Sequence, residues 1–190
     1  TVTGCTCFCA EASPSTYKLL AKHSGIKAHQ VAITGQDARL NMEIGGYEGE
    51  HYWVKVTPDD TGVEVTGLTL ESFMACCGVE AVDLIKVDIE GAELEMFKAT
   101  TDDLLRKVRQ FSVEFHDFLD PTMLPGVKGV IQRLEGLGFE TIIMSHQAHG
   151  DVLFLNRTLL EISAWDLFFM KFVEKYSRGF RRILVRVLKK

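Results

Sequence analysis

The chain predicts an α/β fold with a mostly parallel sheet, and three observations predict it. Segments of strand character alternate with segments of helical spacing along most of the 190 residues, the pattern of strands joined by crossover helices. Leu84, Ile85, Val87 and Ile89 form a nearly continuous apolar run, which suits a strand buried on both faces of a parallel sheet. With 46% hydrophobic and 25% charged residues, the composition is that of an ordinary globular domain long enough for one substantial core.

The elements follow in order. Cys5–Ala10 reads as a strand ending at Glu11. Ser13 and Pro14 then supply the N-cap and first-turn proline of a helix carried by Tyr17, Leu19 and Leu20 to Gly25. Ala28–Ile33 reads as the next strand, and Arg39–Ile44 with His51–Val56 as a β-hairpin around the turn G-G-Y-E-G. Leu70–Cys77 is a short helix closed by Gly78. Leu84–Asp88 is the central strand. Gly91 then opens a helical pattern in which Leu94 and Phe97 are spaced to face the sheet, with Glu90 and Glu93 in the first turn. Glu93–Lys98 and Asp102–Lys107 form a helix broken at Thr100–Thr101, and Phe111–Phe115 is a second buried strand. Pro121–Pro125 reads as a loop and Val127–Leu137 as a helix ended by Gly138. The strands Glu140–Met144 and Asp151–Asn156 are expected to be antiparallel neighbours, because only a short His-containing loop joins them.

A net charge of −5 argues against a dedicated nucleic-acid binder, but the charge is uneven. From Arg157 onward nine Lys/Arg face three Asp/Glu, which leaves that tail at +6 and residues 1–156 at −11. The expected division is therefore a domain over 1–156 and a basic amphipathic helical tail over 157–190. No apolar run approaches the roughly 20 residues that span a bilayer. No signal peptide is recognisable, and the chain begins at Thr1 rather than Met, which leaves its natural start open. Five cysteines without a disulfide-like framework favour a reducing compartment, hence the cytoplasm. Cys5, Cys7 and Cys9 alternate onto one face of a strand, a common place for small buried thiols.

Candidate site residues gather at strand ends. Lys86 and Asp88 project from one face of the central strand, and an acid at the carboxyl end of such a strand sits where open α/β sheets bind ligands. The alternative is that Lys86 and Asp88 pair internally while Glu90 and Glu93 complement the helix dipole. Glu11, between a strand and a helix, looks like the acid that grips ribose hydroxyls in nucleotide-binding folds; otherwise it is a solvent-facing loop acid. On Phe111–His116, Ser112, Glu114 and His116 share a face. His116 is the base candidate, since an unperturbed imidazole titrates near about 6.5. Glu114 would orient it or bind substrate; a structural Glu–His pair closing the strand is the alternative. His146 and His149 could be drawn with His116 as a metal triad, but a polar turn is the simpler account, and C-x-C-x-C is not a zinc spacing. No metal is assigned.

The segment KVDIEGAE (Lys86–Glu93), followed by a strand ending VEFH (Val113–His116), resembles the FkbM family of S-adenosylmethionine-dependent methyltransferases. So do LTLESF (Leu68–Phe73) and DVLFLN (Asp151–Asn156), in the family's order. FCAEASPSTYKLL is similar to the family's acid-bearing strand, which puts Glu11 at the ribose-binding position. The resemblance implies a class I methyltransferase (Rossmann-like) fold, S-adenosylmethionine as cofactor, and methylation of a hydroxyl oxygen on a small-molecule or sugar-like acceptor, without a metal. Asp88 and Glu90 would line the cofactor and acceptor cleft, and Glu114 with His116 would handle the hydroxyl. The family's first strand and Gly-rich turn are not in this chain, where only Gly4 precedes Glu11. The expectation is thus a core lacking its first strand, either because the chain is a fragment or because cofactor binding is degraded. Residues 1–190 alone are expected to bind no cofactor.

Beyond that core, Ile162, Trp165, Phe169, Phe172 and Tyr176 recur at helical spacing, and Phe180–Lys190 mixes aliphatic with basic residues. The segment reads as a helix packing its aromatic face on the domain, as an interfacial helix meeting acidic lipid, or as a partner-binding helix. Two further functions therefore compete with the enzyme: a methyltransferase-like binding module without catalysis, and a lipid-surface protein.

Overall fold

The computed structural model describes residues 4–47, 51–57, 62–145 and 149–174. They belong to two compact units, one of Thr1–Ala81 with Asp88–Leu104, the other of Val82–Val87 with Leu105–Lys190.

The first unit begins with β1 (Cys7–Ala10), α1 (Pro14–Leu20) and β2 (Ile26–His29), and β2 pairs parallel to β1. Ser13 caps α1 as expected, its hydroxyl accepting from the Thr16 N–H, and Pro14 occupies the first turn, where no N–H is needed. The single strand expected over Ala28–Ile33 is two. β3 (Val31–Ile33) follows exposed Gln30 and changes partner, pairing parallel to β6 (Val63–Leu68), while the His29 carbonyl still accepts from Glu11 in the first ladder. The hairpin of β4 (Ala38–Tyr47) and β5 (His51–Thr57) is present but longer than expected, because Gly45, Gly46 and Tyr47 lie in the ladder opposite Trp53, Tyr52 and His51. The second sheet has the order β3-β6-β4-β5. Its strand β6 has no counterpart in the sequence reading. Gly67 disguises it: a Cβ there would lie 2.7 Å from Leu40 Cδ1, so close packing removes the side chain that would have marked a strand.

Helix α2 (Leu70–Cys77) runs from a Thr69 cap to Gly78, whose φ of 66° ends it. Asp37 staples its start by accepting from the Thr69 N–H at 2.6 Å and from the Ser72 hydroxyl. The bond from Ser72 first, then that from Thr69, holds the Asp37 carboxyl below the usual carboxylate range. α3 (Glu93–Ala99) and α4 (Asp102–Leu105) are separated at Thr100, as expected; the Thr100 hydroxyl turns back to the Met96 carbonyl at 2.7 Å. Leu70, Phe73, Met74, Met96 and Phe97 are buried in this unit. Its cysteines depart from expectation. Cys5 and Cys7 are exposed, and Cys9 is only half-buried, its thiol pushed up by burial and then by the Glu11 charge.

The second unit holds one sheet, in the order β7-β8-β10-β9: β7 (Ile85–Val87), β8 (Gln110–Val113), β10 (Val152–Asn156) and β9 (Phe139–Ile143). Only β7 and β8 run parallel; β10 pairs antiparallel to both β8 and β9. A mostly parallel sheet is thus replaced by a mixed one, because the short β9–β10 connection allows no crossover. Among the described residues β7 lies at the edge of this sheet, where a core lacking its first strand would leave it. The burial on both faces expected of its apolar run is not found, since Leu84 is 53% exposed and Val87 is the buried residue of that run in this unit. α5 (Leu124–Gly136) starts earlier than expected. Pro121–Met123 forms a 3-10 turn rather than a plain loop, and Pro125 sits in the first helical turn. Phe111, Phe115, Val127, Leu134 and Phe154 fill the interior. Fully buried Asn156 closes it, donating to the Arg106 and Val108 carbonyls at 3.1 and 3.0 Å and accepting from Thr158.

After β10 comes α6 (Ala164–Phe168), opened by a reciprocal Ser163–Asp166 capping box and continued by a π-helical turn over Phe169–Glu174. Lys171 of that turn pairs with Glu140 on β9, which also meets Arg157 at 3.6 Å. The aromatic face expected to pack on the domain does not do so at its start. Trp165 is 78% and Phe169 55% exposed, with Phe168 edge-on to Trp165. Tyr176 and Phe180–Lys190 lie outside the described residues. No helix among the described residues is long and apolar enough to cross a membrane.

Candidate functional site

In the second unit, the carboxyl ends of β7 and β8 carry the expected groups. The Glu114 N–H donates to the Val87 carbonyl at 2.9 Å, extending the parallel ladder one residue past β8. The Glu114 carboxylate forms an ion pair with Lys86 at 3.5 Å, both half in solvent. The parallel register explains this pair, since it sets Lys86 beside Ser112, one alternation from Glu114. Glu114 and His116 are brought together, with a carboxylate oxygen and a ring nitrogen within 4.8 Å. His116 is 7% exposed and lies against Phe118, ring centroids 5.7 Å apart. The chain then bends, the Leu119 and Asp120 N–H groups both donating to the His116 carbonyl.

Next to His116 stands a residue absent from the sequence reading. Asp117 has a side chain only 1% exposed, and its carboxylate meets His149 twice: Nδ1 at 2.7 Å and the backbone N–H at 3.2 Å. The Phe115 N–H in turn donates to the His149 carbonyl at 3.2 Å, so His149 is held at the end of β8 through backbone and side chain alike. The signal available was an acid directly following the VEFH motif; its partner, 32 residues downstream, could only be found in three dimensions. Of the residues drawn as a triad, His149 holds Asp117 through Nδ1, and His146 lies outside the described residues.

In the first unit, the residues following β7 form a strained turn. Asp88 and Glu90 are exposed. Among the described residues Glu90 is the one non-glycine with positive φ, 52°, and Gly91 follows at 101°. A left-handed non-glycine costs on the order of 1–2 kcal/mol. Glu93 holds the turn: it is fully buried, and its Oε1 accepts from the Ile89 N–H at 3.2 Å and the Gly91 N–H at 3.1 Å. Glu93 therefore braces the turn rather than merely complementing the helix dipole, and α3 starts at Glu93, as expected. Strain that the surroundings impose on an exposed carboxylate is a mark of function.

Glu11 follows β1 directly, its N–H donating to the His29 carbonyl at 3.0 Å. Its Oε1 accepts from the Ser13 N–H at 2.7 Å, and Oε2 has no partner among the described residues. It occupies the expected place between a strand and a capped helix, half-buried. A carboxylate with one oxygen fixed and the other without a partner is an acceptor suited to ribose hydroxyls. The exposed acids Asp88 and Glu90 suit a cationic ligand.

The model of the family described as Methyltransferase FkbM domain matches residues 10–141. The AMB antimetabolite synthetase AmbE of Pseudomonas aeruginosa is 32% identical over 74 residues, which are 39% of this chain but 4% of that protein. The chain thus spans a small fraction of that relative's length. No solved structure matches the chain.

Proposed function

Because the chain belongs to the methyltransferase FkbM domain family, a family of methyltransferases, we propose that it transfers a methyl group from S-adenosylmethionine to a hydroxyl oxygen of a small-molecule or sugar-like acceptor. S-adenosylmethionine supplies an electrophilic methyl group on a sulfonium. The observation that carries this reading is the match of the methyltransferase FkbM domain over residues 10–141; within it, the braced turn keeps exposed Glu90 in a costly conformation beside Asp88. In this reading Glu11 binds the ribose, Asp88 and Glu90 face the cofactor's positive end and the acceptor, and Glu114 with His116 engages the acceptor hydroxyl. Calorimetry of S-adenosylmethionine against the full-length protein tests it. Glu11→Ala should weaken binding by about 1–3 kcal/mol, the usual loss for hydrogen bonds to a charged group. Asp88→Asn should reduce turnover more than folding stability. Unchanged affinity and turnover in both variants would remove these assignments, and binding without transfer to any hydroxylated acceptor would favour a binding module that has lost catalysis.

A second reading concerns location rather than chemistry, and exposed Trp165, Phe168 and Phe169 favour it. Aromatic side chains at a surface, followed in sequence by a run rich in Lys and Arg, suit peripheral contact with an acidic membrane through residues 158–190.

A further inference from the structure

Removing the hydroxyl proton requires a base whose lone pair is available and whose charged form is supported. We infer that Asp117 and His149 form an acid–base dyad in which His149 Nε2 takes the proton of the acceptor hydroxyl; the inference rests on the methyl-transfer reading above. An ionised carboxylate carries no proton, so a 2.7 Å contact between Asp117 and Nδ1 makes Nδ1 the donor. In the neutral ring this leaves Nε2 as the unprotonated nitrogen, and Nε2 has no partner among the described residues. Asp117 accepts a second bond from the His149 N–H and is almost wholly buried, so the ring it orients is held without freedom to turn. A carboxylate that fixes an imidazole in this way is the arrangement of carboxylate–imidazole pairs in general base catalysis.

The two histidines at this strand end differ in the way a division of labour requires. His116 is 7% exposed and packed on Phe118, near the Glu114 carboxylate. The His149 side chain keeps 15% of its surface. The balance is complete. The acceptor O–H bond breaks and its proton moves to Nε2, while the oxygen forms a bond to the methyl carbon. The carbon–sulfur bond breaks with its electron pair left on sulfur, giving a neutral thioether. The imidazolium then returns its proton to water.

The test uses the full-length protein, with two kinds of measurement. Long-range ¹H–¹⁵N correlation spectra of the histidine rings should show His149 with Nδ1 protonated and Nε2 bare, and Asp117→Asn should shift it toward the other tautomer. A protonated Nε2 in the neutral wild-type ring would overturn the proposal without any assay. Transfer of labelled methyl from S-adenosylmethionine to a panel of sugars and small alcohols should fall about 10²–10⁴-fold in His149→Ala and in Asp117→Asn, with cofactor affinity by calorimetry unchanged. Added imidazole should restore part of the His149→Ala rate. Wild-type turnover in a folded His149→Ala protein that binds cofactor normally would reduce the pair to a structural staple and leave the methyltransferase reading intact. Loss of cofactor binding in the wild type would instead sink that reading, and this inference with it.

Discussion

At the scale of single residues, energy is spent at Glu90 and regained at Glu93. Glycine tolerates the left-handed conformation freely, so Glu90→Gly should relieve about 1–2 kcal/mol of strain, partly offset by about 0.5–1 kcal/mol of extra chain entropy. The expected outcome is a slightly more stable protein with weaker cofactor binding, read by thermal denaturation beside calorimetry. A variant that loses stability would show that the turn is relaxed. Asp37 gives a pH-dependent test. Its folded-state carboxyl is lowered, so it contributes stability above its unfolded pKa of about 3.9, and that contribution is lost as pH falls through the folded value. Wild type should therefore melt above Asp37→Asn at pH 6, with the gap closing as pH drops below about 4. A gap constant with pH would mean that packing, not charge, separates the two proteins. Which of these residues could be read from the sequence follows from range. Glu11, Asp88, Glu90, Glu114 and His116 sit beside strand ends that the apolar runs reveal. Asp117 could not be read, because its role is defined by a histidine that only folding brings to it.

At the scale of elements, the same rule of range decides what was legible. Helices α1 and α2 announce themselves through Ser13–Pro14 and through Thr69 and Gly78, since caps are local chemistry. The β9–β10 pairing is equally local. The switch of partner at Gln30 and the strand β6 were hidden, because both depend on distant neighbours: β3 pairs with residues of β6 that lie 35 positions on, and Gly67 is small to admit Leu40. The segment from Ser163 onward shows propensity without context. Its helical spacing was right where α6 forms; of the three accounts of its aromatic face, packing on the domain is not what Trp165 and Phe169 show. If that surface meets acidic lipid, removing Arg178–Lys190 should cut sedimentation with phosphatidylserine vesicles, and moderate salt should do the same to the intact protein. Equal sedimentation with neutral and acidic vesicles would leave the aromatic patch without a lipid role.

At the scale of the whole molecule, an α/β class was correctly read, while the sheet was not. Alternating strands and helices establish the class, yet strand order is a property of the assembled sheets. β7 is the edge strand of a sheet whose pairings beyond β8 are antiparallel, as a core lacking its first strand would leave it, and it is less covered than its apolar run suggests.

The division into units is also not a division of the chain. Residues 82–87 belong with the second unit and 88–104 with the first, so the backbone passes between them three times within 24 residues. No single cut yields two separable pieces. A polypeptide ending at Ala81 leaves behind Met96 and Phe97, two of the buried side chains of its own unit, and one beginning at Leu105 forfeits β7. Recombination between relatives meets the same constraint: a breakpoint inside 82–104 would divide one parent's β7 from its Glu90 turn, whereas exchange of the whole block should keep both. Chimaeras joined at 81 and 105 should therefore express and melt cooperatively, where those joined near 90 should not.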